Sequence, residues 1–353
     1  MGKRSKVVLY VFQNRDSIQF RYRWQNIKEA LRASDEWSMV FCLKNKILRT
    51  DFKNIDVLVV SRQTEKGCKI LNLIKYAQKN GIKVLFDIDD LVFDYDDLFL
   101  VSDTVGEKNL LYWLGYIWGI RRIAKKVDGF LTTNDFLGEK LKRSFNKPYK
   151  VIKNSLNQGQ IKVSEKYVKN KTHDGFRIGY FSGSPTHVKD FKVVELDLIR
   201  FLNAHNNAVL RVVGDMDFSL EMKKLIKLGK VQVEGKVDYL ELQRLISEVD
   251  VNIAPLVIND FTNCKSELKF FEAAIVETTT IASPTYTFKN AITDGKNGFL
   301  AQPGEWYDKL EYLYKHPKEN QKIAKVAKEY ALKHYYGKEF LREVEEAYDF
   351  FAK

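Results

Sequence analysis

The segment NDFTNCKSELKFFEAAIVETTTIASP, residues 259–284, carries the most informative pattern in the chain. On a helix with about 100° per residue, Lys265, Lys269 and Glu272 fall within an arc of about 60°. A separate apolar stripe on the same helix comprises Leu268, Phe271 and Ile275. Two lysines one turn apart repel each other unless an anion lies between them, and a helix N-terminus attracts anions. The pattern fits a bound diphosphate and, equally well, a solvated face with a Lys269–Glu272 pair.

Apolar, β-branched runs alternate with helical patterns on both sides of this segment. The first half contains the runs KVVLYVF, WSMVFCL, IDVLVVS, IKVLFDI, DGFLTT and YKVIKN. The second half contains FRIGYFS, AVLRVVG, VQVEG, VDVNIAP, TTIAS and GFLA. Such alternation is typical of parallel sheets covered by helices on both faces. The sequence therefore predicts two α/β domains that bind ligands at the carboxyl ends of their strands.

The polar stretch SLNQGQIKVSEKYVKNKTHDG, residues 155–175, separates the two halves and shows no strong periodicity. It predicts a linker. The expected domains are residues 1–160 and residues 172–337, and a last helix at about residues 338–353 is expected to pack on the first of them.

Composition indicates a folded, basic protein. The chain has 353 residues, of which 45% are hydrophobic, so it is too long for one ordinary core and suits two domains. Its formal charge of +12 attracts polyanions, anionic lipids or phosphorylated substrates. Three scattered cysteines argue against a disulfide framework and against structural zinc. The first apolar run, VVLYVF, is shorter than a signal peptide requires, so we expect a cytoplasmic protein.

The segment 259–284 resembles the donor-binding helix of GT-B glycosyltransferases, specifically the retaining family 4. In that family a segment ending in E-A-x-A closes on the nucleotide, and here the matching residues are Glu272, Ala273 and Ala274. The resemblance implies that Glu272 accepts hydrogen bonds from the ribose hydroxyls and that Lys269 faces the diphosphate. The pattern K-S-x-x-K-x-x-E, which here includes Lys265 and Ser266, is similar to bacterial members that assemble surface polysaccharides.

Further motifs agree with this resemblance. YFSGSPTHVKDF, residues 180–191, looks like the turn of the donor domain that approaches the phosphates, with Ser182, Gly183, Ser184 and His187 in that turn. An ordinary histidine at a helix start is the alternative for His187. VIKNSLN and TDGKNGFLAQP are similar to two other family segments.

The sequence departs from the family at three positions. Cys264 stands where members carry a glutamate that holds the transferred sugar. Glu277 and Thr279 replace the Gly and Pro expected after the helix. Sugar recognition is therefore expected to differ, and a retaining outcome rests on the resemblance alone.

Six aspartates follow a predicted strand in VLFDIDDLVFDYDD, residues 84–97. Asp89 takes the place of a family histidine that reaches the donor sugar, and Asp90 follows it. The resemblance implies that these two carboxylates face sugar hydroxyls, and one of them would serve as a base if the reaction inverts. The last three aspartates, Asp94, Asp96 and Asp97, favour turn capping.

The same aspartates allow another enzyme class. Asp87 and Asp89 fit the first motif of haloacid-dehalogenase phosphatases, which depend on Mg²⁺. Leu91 replaces the expected Thr, and the remaining partial matches fall in both predicted sheets. A basic protein that binds polyanions or nucleic acid is the alternative outside enzymes, although the sequence contains no nucleic-acid-binding motif.

Residues 109–126, NLLYWLGYIWGIRRIAKK, combine an uncharged run with a basic end. Eleven uncharged residues, 110–120, cannot span a bilayer, which needs about 20. They fit a helix in the membrane interface with Trp113 and Trp118 at headgroup level. A helix buried through a stripe of Leu110, Trp113, Leu114, Ile117 and Ile120 fits equally well.

Taken together, these patterns predict a GT-B enzyme with two Rossmann-like domains facing across a cleft. It would transfer a sugar from a nucleotide diphosphate donor to a lipid-linked glycan on the inner face of the cell membrane. Neither a metal nor a cofactor is expected, because Lys265 and Lys269 would neutralise the leaving diphosphate.

Overall fold

The computed structural model describes residues 4–13, 18–49, 52–106, 109–168, 174–182 and 188–353. The chain forms two compact units. The first comprises residues 1–155, 264–266 and 334–353, and the second comprises residues 156–263 and 267–333.

The first unit contains a six-stranded sheet in the order β2-β1-β3-β4-β5-β6, with every pair parallel. Its strands are β1 (Lys6–Phe12), β2 (Trp37–Leu43), β3 (Val57–Ser61), β4 (Lys83–Asp87), β5 (Gly129–Thr132) and β6 (Tyr149–Val151). Because all six strands are parallel, they end at one edge, here called the first carboxyl edge. The strand order reverses between β1 and β3, where open α/β sheets bind ligands.

Helices cover both faces of this sheet. The α-helices of the unit are Ile18–Phe20, Asn26–Ala30, Lys69–Lys79, Leu98–Val105, Leu110–Ala124, Asp135–Phe145 and Gly337–Ala352. A π-helical turn, Arg21–Gln25, joins the first two helices, and 3-10 turns lie at Leu31–Ala33 and Lys44–Arg49.

The last helix of the chain, Gly337–Ala352, completes the core of the first unit. Its buried face comprises Phe340, Val344, Ala347, Tyr348 and Phe351, which cluster with side chains of β1, β2 and β3. Polar contacts hold it at both sides, since Lys6 Nζ lies 2.6 Å from Asp349 and Lys153 Nζ lies 3.2 Å from Glu343.

The second unit contains another six-stranded parallel sheet, in the order β12-β11-β10-β7-β8-β9. Its strands are β7 (Phe176–Phe181), β8 (Ala208–Val213), β9 (Val231–Glu234), β10 (Val251–Ala254), β11 (Thr279–Ala282) and β12 (Phe299–Leu300). Its helices are Gln158–Val168, Val188–Ala204, Leu220–Lys227, Tyr239–Ser247, Asp260–Asn263, Leu268–Ala274, Tyr286–Ala291, Trp306–Lys315 and Pro317–His334. All six strands are parallel and end at one edge, here called the second carboxyl edge. The strand order reverses between β7 and β10, so this edge also has a switch point.

The predicted α/β architecture is confirmed, while two local expectations are wrong. Residues 158–168 of the predicted linker form a helix whose buried positions are the polar Gln160 and Ser164. The helix at residues 259–284 is broken, because Asp260–Asn263 and Leu268–Ala274 are separate and Lys265 lies in the turn between them. Within the described ranges, no helix is both long and apolar enough to cross a bilayer.

Candidate active site

The second carboxyl edge positions Lys269 and Glu272 beside the switch point. Strand β10 and the helix Leu268–Ala274 are joined through Asn252, whose Nδ2 donates to the carbonyl oxygen of Lys269 at 3.0 Å. The same amide nitrogen donates to Thr280 Oγ1 of β11 at 3.1 Å. Asn252 therefore fixes the start of this helix against two neighbouring strands.

Lys269 is a shielded cation in an aromatic and acidic surrounding. Its Nζ lies 4.6 Å from the centre of the Tyr180 ring at the end of β7. Among the residues that the structure describes, this buried Nζ has no hydrogen-bond partner. Burial lowers the pKa of Lys269 to about 8, although the charges of Asp190 and Glu272 oppose the shift. An ammonium group in this state would gain strongly from a bound anion.

The carboxylate of Glu272 lies one turn after Lys269 and is almost fully buried, at 7% exposure. Gln160 donates a hydrogen bond from Nε2 to Glu272 Oε1 at 3.4 Å. Asp190, also buried, accepts a hydrogen bond from the backbone amide of Val257 at 2.9 Å. Two carboxylates and one ammonium group thus lie close to the ends of β7 and β10.

The predicted phosphate turn is described only at its first residue. Ser182 is buried, and its amide donates to the carbonyl oxygen of Val213 at 2.8 Å, so this amide is part of the sheet. A Cβ atom at Gly214 would lie 2.1 Å from the Ser182 carbonyl oxygen, so only glycine fits beside it. Gly183, Ser184 and His187 lie outside the described residues.

At the first carboxyl edge, Asp87 is a buried structural carboxylate. The Arg23 guanidinium contacts it through Nε at 3.0 Å and Nη2 at 2.9 Å, and Tyr10 Oη donates to it at 3.2 Å. Burial raises the pKa of Asp87, while the charge of Arg23 opposes that shift. Arg23 also donates to the backbone carbonyl of Ile152. A carboxylate held this tightly has no free oxygen for nucleophilic attack, which counts against the phosphatase alternative.

Asp89 and Asp90 form a paired cluster with two cations. Arg62 donates to Asp89 at 2.7 Å and lies 3.1 Å from Asp90. Gln19 donates to Asp89 at 2.5 Å, and Lys265 Nζ lies 2.5 Å from Asp90. Burial favours the protonated form of Asp90, but the charges of Lys265 and Arg62 outweigh it and lower the pKa. Asp90 is therefore ionised and weakly basic at neutral pH.

The structure separates the two lysines that the sequence places on one helix. Lys265 belongs to the first unit together with the half-buried Ser266, whereas Lys269 belongs to the second. The turn is fixed by its neighbour Cys264, whose carbonyl oxygen accepts a hydrogen bond from Asn134 Nδ2 at 2.9 Å. Asn134 and Cys264 are 130 residues apart, so the periodicity of the local sequence could not reveal the helix break.

The last three aspartates of the acidic run make local and inter-helix contacts. Asp94 accepts hydrogen bonds from the amide of Asp96 at 3.3 Å and from the Ser144 hydroxyl. Asp97 lies 3.1 Å from Lys140 Nζ. The capping role expected from the sequence is therefore seen for Asp94, whereas Asp97 forms an ion pair in place of a helix cap.

The helix Leu110–Ala124 contradicts one part of the membrane expectation. Trp113 is buried at 5% exposure and therefore cannot lie at headgroup level, whereas Trp118 is 47% exposed. Of the alternative stripe, Trp113, Ile117 and Ile120 are buried as expected, but Leu110 and Leu114 are exposed. The helix therefore packs through one face and presents another to solvent.

Several residues near the two edges were not singled out by the sequence. They are Gln19, Arg62, Tyr180, Asp190 and Asn252. Arg62 directly follows β3 and Asp190 lies in a recognised motif, so position relative to strand ends was the available signal. In the described ranges, no three His, Cys, Asp or Glu side chains are grouped as a metal site would require.

A separate cavity of ≈ 740 Å³ opens at the opposite edge of the second sheet. Its lining includes Asp174, Phe176, Asp250, Glu277 and Asn320. Phe176 begins β7 and Asp250 precedes β10, whereas ligands of open α/β sheets bind where the strands end. The size of this cavity therefore does not identify it as the active site.

Comparison with solved structures identifies the fold. HepE from Anabaena in complex with UDP superimposes with a TM-score of 0.63 and 12% identity over 98% of this chain and 99% of that chain. Sucrose-phosphate synthase from Thermosynechococcus elongatus gives a TM-score of 0.69 and 12% identity over 98% of each chain. WaaG, a glycosyltransferase involved in lipopolysaccharide biosynthesis, gives 0.61 and 12% over 98% and 99%.

The chain has the GT-B fold. The two parallel α/β units are what the GT-B prediction required. Residues 177–316, which include Lys269 and Glu272, match the family model described as Glycosyl transferases group 1. No curated protein matches the chain in sequence. The GT-B fold and the family match favour neither the phosphatase nor the nucleic-acid-binding alternative.

Proposed function

We propose that this GT-B protein is a glycosyltransferase that moves a sugar from a nucleotide diphosphate donor to a glycan acceptor. The observation that carries the proposal is the buried Nζ of Lys269 at the second carboxyl edge. It lies over the Tyr180 ring and forms no hydrogen bond with any residue that the structure describes. The match of residues 177–316 to the Glycosyl transferases group 1 model supports it. A diphosphate is the ligand class that would relieve the desolvated ammonium group.

Transfer of a glycosyl group leaves negative charge on the departing diphosphate, and catalysis requires that this charge be stabilised. Lys269 would supply a positive charge. The second charge expected from Lys265 is not proposed, because its Nζ already lies 2.5 Å from Asp90. Glu272, one helical turn after Lys269, would accept hydrogen bonds from the ribose hydroxyls. Ser182 and Ser266, with Gly183, Ser184 and His187, are proposed as further donor contacts.

UDP is the first donor nucleotide to test. The support comes from HepE, which was solved in complex with UDP, with UDP and glucose, and with UDP-glucose. These ligands were bound to HepE, so the base and the sugar are proposals for this chain.

The acceptor is proposed to contact Asp89 and Asp90 through sugar hydroxyls. Both carboxylates are one-fifth exposed and already share Arg62, so their charges are largely balanced before any ligand arrives. A neutral polyol offers hydroxyl donors to such a cluster without adding charge. A lipid-linked surface glycan is the proposed acceptor class, and the involvement of WaaG in lipopolysaccharide biosynthesis supports it.

We propose a retaining reaction of the family 4 kind, in which the leaving phosphate takes the acceptor proton. The ionised, doubly paired Asp90 supports this choice because its lowered pKa makes it a poor general base. Metal independence is proposed because lysine charge would replace a metal at the diphosphate, and no resident cofactor is proposed. The proposed location is the cytoplasmic side of the membrane that holds the acceptor.

Thermal unfolding with UDP, GDP, dTDP and CMP, each with and without EDTA, tests the donor proposal. A ligand at 100 times its Kd should stabilise the protein by about 2.7 kcal/mol. We expect one diphosphate to raise Tm equally in both series, and Lys269→Met to abolish the shift. Lys325→Met, which changes an exposed lysine of the same unit, is the control. A shift that survives Lys269→Met would overturn the proposed diphosphate site.

A further inference from the structure

The helix Leu110–Ala124 has one buried and one exposed apolar face. Trp113, Ile117 and Ile120 point inward, with exposures of 5% or less. The opposite face carries Leu111 at 80% exposure, Leu114 at 40% and Trp118 at 47%. These three recur at spacings of three and four residues, so they form one stripe along the helix. Phe99, on the helix Leu98–Val105 of the same unit, is 71% exposed.

This exposed face is held rigidly by the rest of the first unit. A Cβ atom at Gly119 would lie 2.9 Å from the Thr64 side chain, so helix and loop are in close contact there. Arg122 donates to the carbonyl oxygens of Glu65 at 3.0 Å and Lys66 at 2.7 Å. The apolar side chains are therefore presented by an anchored helix.

Positive charge follows the apolar stripe at the end of the helix. The Arg122 guanidinium lies 4.7 Å from the centre of the Trp118 ring, and Lys125 and Lys126 are exposed. Drawn at about 100° per residue, Lys125 falls on the same side as Leu111 and Trp118. An apolar stripe that continues into basic residues complements the acyl boundary and anionic headgroups of a bilayer.

We infer that the exposed face formed by Leu111, Leu114 and Trp118, with Arg122, Lys125 and Lys126, rests on an anionic lipid bilayer. A helix of 15 residues that ends in charged groups is too short to span it and lies in the interface. The basic end of the helix is attracted to anionic lipid and would gain nothing from an apolar protein partner. The formal charge of +12 on the chain adds to the attraction to lipid.

The same helix reaches the first carboxyl edge. Tyr116, two residues before Trp118, accepts a hydrogen bond from Arg62 at 3.4 Å, and Arg62 holds Asp89 and Asp90. One helix thus connects the lipid-facing stripe with the proposed acceptor carboxylates. The consequence that a lipid-linked acceptor is met at the membrane surface rests on the proposed function, whereas lipid binding does not.

Intrinsic fluorescence provides a selective test. The chain has five tryptophans, and Trp118 is 47% exposed while the other four are at most 9% exposed. Vesicles of phosphatidylcholine with phosphatidylglycerol, and vesicles of phosphatidylcholine alone, are prepared with and without brominated acyl chains. We expect bromine quenching with the anionic vesicles, and Trp118→Phe should abolish it. Quenching that persists in Trp118→Phe would overturn the assigned face.

Vesicle sedimentation measures the affinity. Leu111→Ser with Leu114→Ser should weaken binding to anionic vesicles by at least about tenfold, because two exposed apolar side chains leave the interface. Lys125→Gln should weaken it by about fivefold. Leu196→Ser with Leu220→Ser is the matched control, since these second-unit leucines are 75% and 73% exposed. Equal losses in both double variants, or none, would overturn the proposal.

Two further measurements separate this proposal from its rivals. The serine double variant should retain the Tm shift with nucleotide, so lipid binding and donor binding fail independently. Sedimentation velocity without lipid should give the same mass for wild type and variant. A dimer that dissociates in the variant would assign the face to a second copy of the chain instead.

Discussion

The two carboxyl edges differ in how their charges are balanced. At the first edge, every carboxylate from Asp87 to Asp90 contacts a guanidinium or ammonium group. At the second edge, the described surroundings leave Lys269 Nζ without a hydrogen bond, although Asp190 and Glu272 are near. A balanced edge suits a neutral, hydroxyl-rich ligand, and an edge with a desolvated cation suits an anion. Five measurements break or sharpen this contrast.

The largest effect is expected when the internal balance of the first edge is broken. Arg23→Met leaves Asp87 buried without its cation and should lower the free energy of unfolding by about 3–5 kcal/mol. Urea unfolding of the first unit measures it. Arg4→Met, which breaks the exposed pair with Asp56, should lower it by less than about 1 kcal/mol. Similar losses in both variants would show that the buried pair stabilises the fold no more than the exposed pair does.

At the second edge, the effect should appear in turnover and not in folding. Lys269→Met should lower kcat by about 10²–10³-fold, because it removes charge that stabilises the leaving diphosphate. Its Tm should be unchanged or higher, since an ammonium group no longer has to be buried. Initial rates with the identified donor are measured for Lys269→Met and for the control variant Lys325→Met. Turnover within a factor of two of wild type would contradict the contrast.

Glu272→Gln separates ribose recognition from phosphate recognition. We expect about tenfold weaker binding of the nucleoside diphosphate, because a carboxylate acceptor for ribose hydroxyls is replaced by an amide. Calorimetric titration with pyrophosphate serves as the internal control, and its affinity should not change. Equal weakening for both ligands would place Glu272 at the phosphates.

Asp90→Asn tests whether the balanced edge holds a base. Since Asp90 is ionised and paired with Arg62 and Lys265, its amide variant should keep kcat within about tenfold of wild type. A general base would lose about 10²–10⁴-fold. A loss of that size, together with an inverted anomeric product by NMR, would replace the retaining proposal.

The smallest effect concerns pH. Because burial lowers the pKa of Lys269 to about 8, the free protein loses this proton as pH rises through 8, and a bound diphosphate favours its retention. Nucleotide affinity should therefore fall severalfold between about pH 8 and 9.5. Without nucleotide the unfolded chain keeps the proton up to about pH 10.4, so stability should rise with pH between about 8 and 10.4 relative to Lys269→Met. If the difference in the free energy of unfolding between wild type and Lys269→Met does not change with pH, the pKa of Lys269 is not lowered in the folded protein.

The fold was predictable because buried parallel strands read as apolar, β-branched runs, and the chain contains twelve such runs, six in each half. Lys269 and Glu272 were predictable because they share a helix with a clear apolar face. Residues 158–168 were missed because this helix buries Gln160 and Ser164, whose polar side chains leave no hydrophobic period.

Contacts between distant positions were beyond the sequence. The pairing of Lys265 with Asp90, 175 residues apart, depends on where the turn after Asn263 is fixed. The periodicity of the helix Leu110–Ala124 allowed either an interfacial or a buried stripe, and the structure shows Trp113 buried and Trp118 exposed.

The last helix, Gly337–Ala352, has a consequence for the order of synthesis. Phe340, Val344 and Tyr348 complete the core of a unit whose strands lie within residues 6–151. Residues 6–151 are therefore synthesised well before residues 337–352, and until then part of the apolar sheet of the first unit stays uncovered. The residues of the second unit end at 333, so they are synthesised before that helix. In the order of synthesis, the core of the first unit is thus completed after that of the second.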